Sequence, residues 1–273
     1  MNTAKKKYGF IIPIILLLIL LQIYQYNKAI GILLICIYIG YLLFKNMATL
    51  FMIMGNTKYS KGNIEDALRW YGKAYNDKSS SVKVKILYGY LLLKTGKIDQ
   101  SEEVFNKIIQ SNISEDEEMG VKQNIALVLW KRGRIDDSIA MLENVFENYR
   151  NSTVYGSLGF MLILKGDLDK ALEFNLEAYE YDNKDSIILD NLGQSYYLKG
   201  DYDKALEIYE ELIGQAPRFA EAYFNYGLLL QAKNQYEKAL EFLKKSKNYK
   251  IYALSSITTQ EIDTKIKEIE GIL

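Results

Sequence analysis

Residues 200 to 217 read GDYDKALEIYEELIGQAP, and Asp201, Asp203, Glu207, Glu210 and Glu211 crowd five carboxylates into this short stretch. Carboxylates so close together could act as acid and base, hold a divalent ion, or form the hydrated face of a helix. The rest of the composition narrows the choice. The chain has no histidine, which removes the commonest general base and the commonest metal ligand. Its one cysteine, Cys36, sits in an apolar run, so neither a disulfide framework nor a Cys-based zinc site can be built. There is no glycine-rich phosphate loop. The residues therefore offer no catalytic group, no cofactor site and no metal site, and the expectation is a protein that is not an enzyme.

Charge is balanced over the whole chain but not along it. Residues 1–47 contain Lys5, Lys6, Lys7, Lys28 and Lys45 and no Asp or Glu, so the remainder carries the matching acidic excess. A mildly acidic remainder is a poor partner for nucleic acid, which requires a basic stripe.

The basic start belongs to a distinct segment. Two apolar stretches, 8–24 and 29–44, are separated by Gln25, Tyr26, Asn27 and Lys28. Each is slightly short for a bilayer, which takes about 20 helical residues, but flanking Tyr and Lys can snorkel to the interface. The reading is a membrane anchor over 1–47, built as a transmembrane hairpin. Lys5, Lys6 and Lys7 place the amino terminus in the cytoplasm, and two crossings return the following residues to that side. The alternatives are a single span, which would put the rest of the chain outside, and a cleaved signal peptide. No small-residue cleavage pattern follows Leu21, and a second apolar run does.

From residue 48 onward the chain repeats. GNIEDALRW at 62, GKIDQSEEV at 96, GRIDDSIAM at 133, GDLDKALEF at 166, GDYDKALEI at 200 and NQYEKALEF at 234 are spaced by 34, 37, 33, 34 and 34 residues. The long step contains Ser111–Met119, polar and acidic, which reads as a stretched loop between repeats. A second series, Gly55, Gly89, Ala126, Gly159, Gly193 and Gly227, runs seven residues ahead of the first, within segments of helical apolar spacing. Each unit is therefore two helices joined at a glycine, or once at Asn234. The five carboxylates fall on the turn and the outer face of one second helix, where acids near a helix start are favoured and solvated.

The pattern resembles the tetratricopeptide repeat family. In the fifth unit Leu192-Gly193, Tyr196, Gly200, Tyr202, Ala205, Tyr209 and Pro217 fall where that family has them. Ser101 and Ser138 replace the small alanine of the second helix, Ala126 replaces the glycine of the first, and Asn175 stands at an aromatic position. The resemblance implies an all-α fold: a solenoid of six helix pairs over 48–254 (48–81, 82–118, 119–151, 152–185, 186–219 and 220–253). A capping helix follows over 255–273, where Thr258 and Glu261 read as a capping box and Ile262, Ile266 and Ile269 as one apolar stripe. At the other end, the apolar stretch Ala48–Gly55 is expected against the membrane, with its helix possible as a continuation of the second span.

The resemblance further implies a concave face, lined by each first helix, that holds a peptide or protein segment. Carried across position by position, the groove candidates are Tyr90, Lys94, Asn124, Trp130, Lys131, Phe160, Asp190, Asn191, Gln194, Tyr197, Phe224 and Asn225. Tyr90, Trp130, Phe160, Tyr197 and Phe224 would give rigid apolar anchors. Asn124, Asn191 and Asn225 would give amides for an extended backbone. The set of Lys and Asn positions with which some members clamp a terminal carboxylate is incomplete. The expected function is a membrane-tethered scaffold for a protein or peptide partner. The alternative is a structural subunit that self-associates, or joins a membrane complex, through its spans or convex face. The enrichment in Ile, Lys, Asn and Tyr suggests a bacterial source.

Overall fold

The computed structural model describes residues 11–273; Lys5, Lys6, Lys7 and Tyr8, which begin the expected anchor and orient it, lie outside the described residues. Among the described residues every regular element is a helix, fifteen in all. The chain divides into two compact units, one ending at Val84 and one running from Lys85 to Leu273.

The first unit contains α1 (Ile11–Tyr26), α2 (Lys28–Lys45), α3 (Met47–Ser60) and α4 (Ile64–Asn76). Helices α1 and α2 pack on each other across a one-residue turn. Asn27 makes the turn, its side-chain oxygen accepting from the backbone N–H groups of Ala29 (3.1 Å) and Ile30 (3.2 Å). Gly31 allows the close approach to Tyr24, and the Tyr38 hydroxyl donates to the Pro13 carbonyl at 3.3 Å. The other faces of both helices are covered with exposed Ile and Leu, among them Leu18, Leu33 and Ile37.

Helix α3 does not continue α2. Asn46 interrupts them, because its side-chain amide donates to the Leu42 carbonyl (2.8 Å) in competition with the helical backbone. Within α3, Ala48 and Gly55 are buried while Ile53 and Met54 remain exposed. Phe51 packs on Trp70 of α4 at 5.8 Å between ring centroids, and the Lys73 ammonium lies over the Trp70 ring.

The second unit is a succession of helix pairs: α5 (Val82–Lys94) with α6 (Ile98–Ile109), α7 (Glu115–Lys131) with α8 (Ile135–Asn148), and α9 (Ser152–Lys165) with α10 (Leu168–Tyr181). Then come α11 (Ser186–Leu198) with α12 (Tyr202–Gly214), α13 (Ala220–Ala232) with α14 (Tyr236–Ser246), and a last helix α15 (Thr259–Glu270). The joints within pairs use a left-handed backbone, with φ between 78° and 84° at Gly96, Gly133, Gly166 and Gly200. Asn234 takes the same place with φ 59°, as the side chain best able to tolerate it.

Ser111–Met119 is a loop only as far as Ser114, and from Glu115 it is helix. Ser114 caps α7: its hydroxyl accepts from Glu117 N–H while the Glu117 carboxylate accepts from Ser114 N–H (2.9 Å). The acidic residues 115–118 then form the first turn, where the helix dipole favours them, and the extra residues lengthen α7 instead of a connection.

Small residues set the spacing inside each pair. A side chain at Gly193 would meet the Tyr209 ring at 2.8 Å. The two serines at the alanine position are accommodated by hydrogen bonds within their own pair: Ser101 Oγ donates to Gly89 O and Ser138 Oγ to Ala126 O, both at 2.8 Å. Asn175 is fully buried, donating to Ser195 Oγ at 3.0 Å and filling the space beside Gly159.

The carboxylates of 200–217 have ordinary employment. Asp201 caps α12 by accepting from Lys204 N–H, Asp203 pairs with Lys233 at 2.5 Å, and Glu211 accepts from the Tyr179 hydroxyl. The Asp203–Lys233 pair belongs to a ladder with Asp99–Arg132, Asp136–Lys165 and Asp169–Lys199, each joining the start of one second helix to the end of the next first helix. These pairs are largely exposed, so solvent screens them and each weakens further with salt.

Candidate peptide groove

The first helices of the second unit surround a cavity of about 400 Å³. Tyr90 and Lys94 enter it from the last turns of α5, Trp130 from α7, Phe160 from α9, and Asp190 and Asn191 from the middle of α11. Trp130 and Phe160 meet edge to face, 5.2 Å between centroids, an arrangement that holds both rings rigid. Both are half-buried, so each still presents apolar surface to the cavity. Six of the expected groove residues therefore converge on one site.

The remaining six are placed differently, and Asn191 has a second role besides lining the cavity. Lys131 lies over the Trp130 ring, 4.4 Å from its centroid, and burial lowers the pKa of its ammonium. Gln194 is half-buried on α11 and does not line the cavity. The asparagines expected to meet a ligand backbone have their amides engaged within the scaffold. Asn124 Nδ2 donates to Gly120 O on its own helix, and Asn191 Nδ2 donates to Gly156 O of the preceding pair, both at 2.8 Å. Asn225 Nδ2 donates to the Asp190 carboxylate at 3.1 Å and 3.4 Å. Tyr197 and Phe224, expected as anchors, belong to the hydrophobic cluster that contains Ile262, Ile266 and Ile269 of α15. The stripe on α15 reaches them because Thr258 and Glu261 start that helix with a capping box, and Lys247–Asp263 and Lys244–Glu270 pair it with α14.

Asp190 is the unusual group at the site. Its side chain is buried, and burial pushes its pKa up to about 7; the hydrogen bond from Asn225 opposes that shift and the nearby charge of Glu221 adds to it. The Tyr209 hydroxyl donates to its backbone carbonyl at 3.4 Å. No basic side chain forms an ion pair with it among the described residues.

One lining element was not foreseen. After α14, residues 248–258 form turns that cross the concave face, and Lys250, Tyr252, Leu254, Ser255 and Ser256 complete the wall of the cavity. Ala253 N–H donates to the carbonyl of Lys94 at 3.1 Å. That carbonyl ends α5 and has no intrahelical partner, so the crossing segment satisfies a group the helix leaves open. The Lys94 ammonium lies 4.3 Å from the centroid of Tyr252. Ser256 N–H donates to Glu221 Oε1 at 3.2 Å, and Tyr249 stacks on Tyr223 at 5.0 Å. The available signal was the apolar content of Tyr249, Ile251, Tyr252 and Leu254, high for a solvated connection.

With this geometry in hand, comparison with known proteins decides the family. Models of the tetratricopeptide repeat match residues 82–112, 150–218 and 191–250. This chain is a tetratricopeptide repeat protein. Tetratricopeptide repeats are protein-interaction scaffolds, and the fold is typically non-enzymatic. Among solved structures, a tetratricopeptide repeat protein from Parabacteroides merdae is similar, with TM-score 0.64 and 15% identity over 82% of this chain and 85% of that one. A thermophilic one from Thermus thermophilus follows, with TM-score 0.58 and 19% identity over 67% and 99%. At these identities the likeness concerns the fold alone. Human DnaJ homolog subfamily C member 3 is 27% identical over 120 residues, 40% of this chain and 22% of that protein. The mouse protein of the same name is 32% identical over 79 residues, 29% and 14%. This tetratricopeptide repeat chain thus spans less than a quarter of the length of these curated relatives.

Proposed function

We propose that the chain is a membrane-tethered scaffold that holds an extended segment of a protein partner in the concave groove of its repeats. The observation that carries this reading is the cavity walled by Tyr90, Trp130 and Phe160 from three successive first helices. Rigid aromatics in a partly enclosed site supply most of the binding energy in many interfaces.

The tether is the α1–α2 pair. Helix α2 spans 18 residues with mean hydropathy 1.9, α1 is shorter and also apolar, and both expose their Ile and Leu. Water makes such surfaces costly and hydrocarbon does not. A hairpin of this kind leaves the repeats on the side where the chain began. A partner held next to an anchored groove gains effective concentration without tight intrinsic affinity.

Two measurements test the parts separately. A photocrosslinker at Ser157, which lines the cavity, is expected to give a discrete partner adduct in membrane vesicles, and one at the exposed Glu180 of α10 is not. Trp130→Ala with Phe160→Ala should reduce the Ser157 adduct at least about tenfold while far-ultraviolet circular dichroism stays helical. An undiminished adduct would remove the groove from the function. Reporter fusions after Asn27, Gly62 and Leu273 should report outside, cytoplasm and cytoplasm; a reporter at Leu273 found outside would overturn the hairpin.

A further inference from the structure

The segment that crosses the groove is built like a ligand. Its ends are anchored: Tyr249 stacks on Tyr223 and its hydroxyl meets the Tyr223 hydroxyl at 3.2 Å, while Ile257 is buried in the cluster with α15. Its middle is held lightly. Ile251 to Ser255 are only half-buried, and the bonds from the middle to the groove are Ala253 N–H to Lys94 O and Ser256 N–H to Glu221 Oε1. Tyr252 enters the cavity wall as its aromatic side chain, with the ammonium groups of Lys94 and Lys250 over its ring. A segment fixed at both ends and loosely bound between them can bulge outward without unfolding its neighbours.

Resting on the groove reading, we propose that residues 248–256 are the built-in occupant of the groove, and that a partner binds by displacing their middle. The occupant also specifies the partner's chemistry. It is a segment that turns tightly, as Tyr252–Ser255 does through the 3.0 Å bond from Ser255 N–H to Tyr252 O, with one aromatic residue in the place of Tyr252, followed by a small residue whose backbone N–H reaches the Lys94 carbonyl. The lining carries both signs, with Lys94, Arg218 and Lys250 beside Asp185 and Glu221, so the aromatic residue and the backbone bond select the partner more than its net charge does.

The probe is a fluorescent peptide with the sequence NYKIYALSS, residues 248–256, titrated against the full chain in detergent micelles. A tethered occupant competes at an effective concentration of about 1 mM, which lowers the apparent affinity of the free peptide in proportion. Tyr252→Ala with Ala253→Pro removes the aromatic ring and the N–H donor, and this variant should bind the peptide at least about tenfold more tightly than the unaltered chain. A peptide with alanine in place of its second tyrosine should lose that binding. A second arm keeps the segment's own side chains and is read by comparing the oxidised and reduced forms of one variant, which controls for the strain that a side chain at Gly96, φ 82°, imposes. A Cβ at Gly96 would lie 3.5 Å from the Ala253 Cβ, within disulfide reach, so Gly96→Cys with Ala253→Cys in a Cys36→Ser background can lock the segment in place. The oxidised lock should abolish peptide binding, and reduction should restore the affinity of the unaltered chain. Equal affinity of the first variant and the unaltered chain, no binding by either, or a lock without effect would each overturn the proposal. In that event a Ser157 adduct still lost on Trp130→Ala with Phe160→Ala would leave the groove reading standing.

Discussion

Asp190→Asn should stabilise the repeats most at pH 8, by less than half as much at pH 5, and little below pH 4. The carboxyl is buried, its hydrogen-bond donor is the neutral amide of Asn225, and the nearest charge felt is the like charge of Glu221. Its pKa in the fold, about 7, lies above the ordinary 3.8, so the folded chain holds this proton more tightly than the unfolded one. The stability that this tighter hold contributes is complete below about pH 4 and is lost as pH rises through 7. Three pH units correspond to a ceiling of about 4 kcal/mol, and an amide side chain, which never ionises, removes the whole dependence. Urea unfolding of the detergent-solubilised chain, followed by circular dichroism from pH 5 to 8, should give a falling midpoint for the unaltered protein and a flatter profile for Asp190→Asn. Parallel profiles would show that Asp190 ionises in the fold without penalty.

Gly193→Ala is the second large effect. The added methyl would lie 2.8 Å from the Tyr209 ring, which is itself fully buried and cannot retreat into solvent. Overpacking of this kind costs about 1–3 kcal/mol. The third pair shows how the conflict is relieved, for there Ala126 and Leu142 occupy the equivalent positions and share one buried cluster. Tyr209→Leu should therefore rescue Gly193→Ala. The double variant is expected to be more stable than the sum of the single effects by at least about 1 kcal/mol, measured as a double-mutant cycle in urea. Strict additivity would mean that the backbone of α11 shifts and the ring is not the obstacle.

The repeat was legible because its demands are local. A left-handed joint selects Gly or Asn, and a close helix contact selects a small residue, so Gly200, Asn234 and Gly193 announce themselves in the sequence. Ser114 and Glu117 were just as legible as a capping box, and their acidic neighbours drew attention toward a loop instead. The groove was readable in part. Tyr90, Trp130, Phe160 and Asp190 line it because helical register alone decides which way they point. Register does not say whether an outward-facing amide meets a ligand or a neighbouring helix, and Asn191 and Asn225 meet neighbours. Nor does it say what α15 covers, so Tyr197 and Phe224 looked open when they are part of a core. The crossing of the concave face by residues 248–258 depends on contacts remote in sequence, which no local pattern encodes.

The hydrogen bond from Ala253 to Lys94 has a consequence for how the second unit comes apart. In a linear repeat array each pair interacts only with its neighbours, so unfolding can begin at either end and spread one pair at a time. Here the far end is bonded back to α5, the first helix of the unit, and fraying at one terminus strips a contact from the other. Partly melted states therefore lose an advantage that an open array would give them. Residues 85–273 should unfold more nearly as a single cooperative transition than their modular sequence suggests, and closing that ring should be among the last steps of folding.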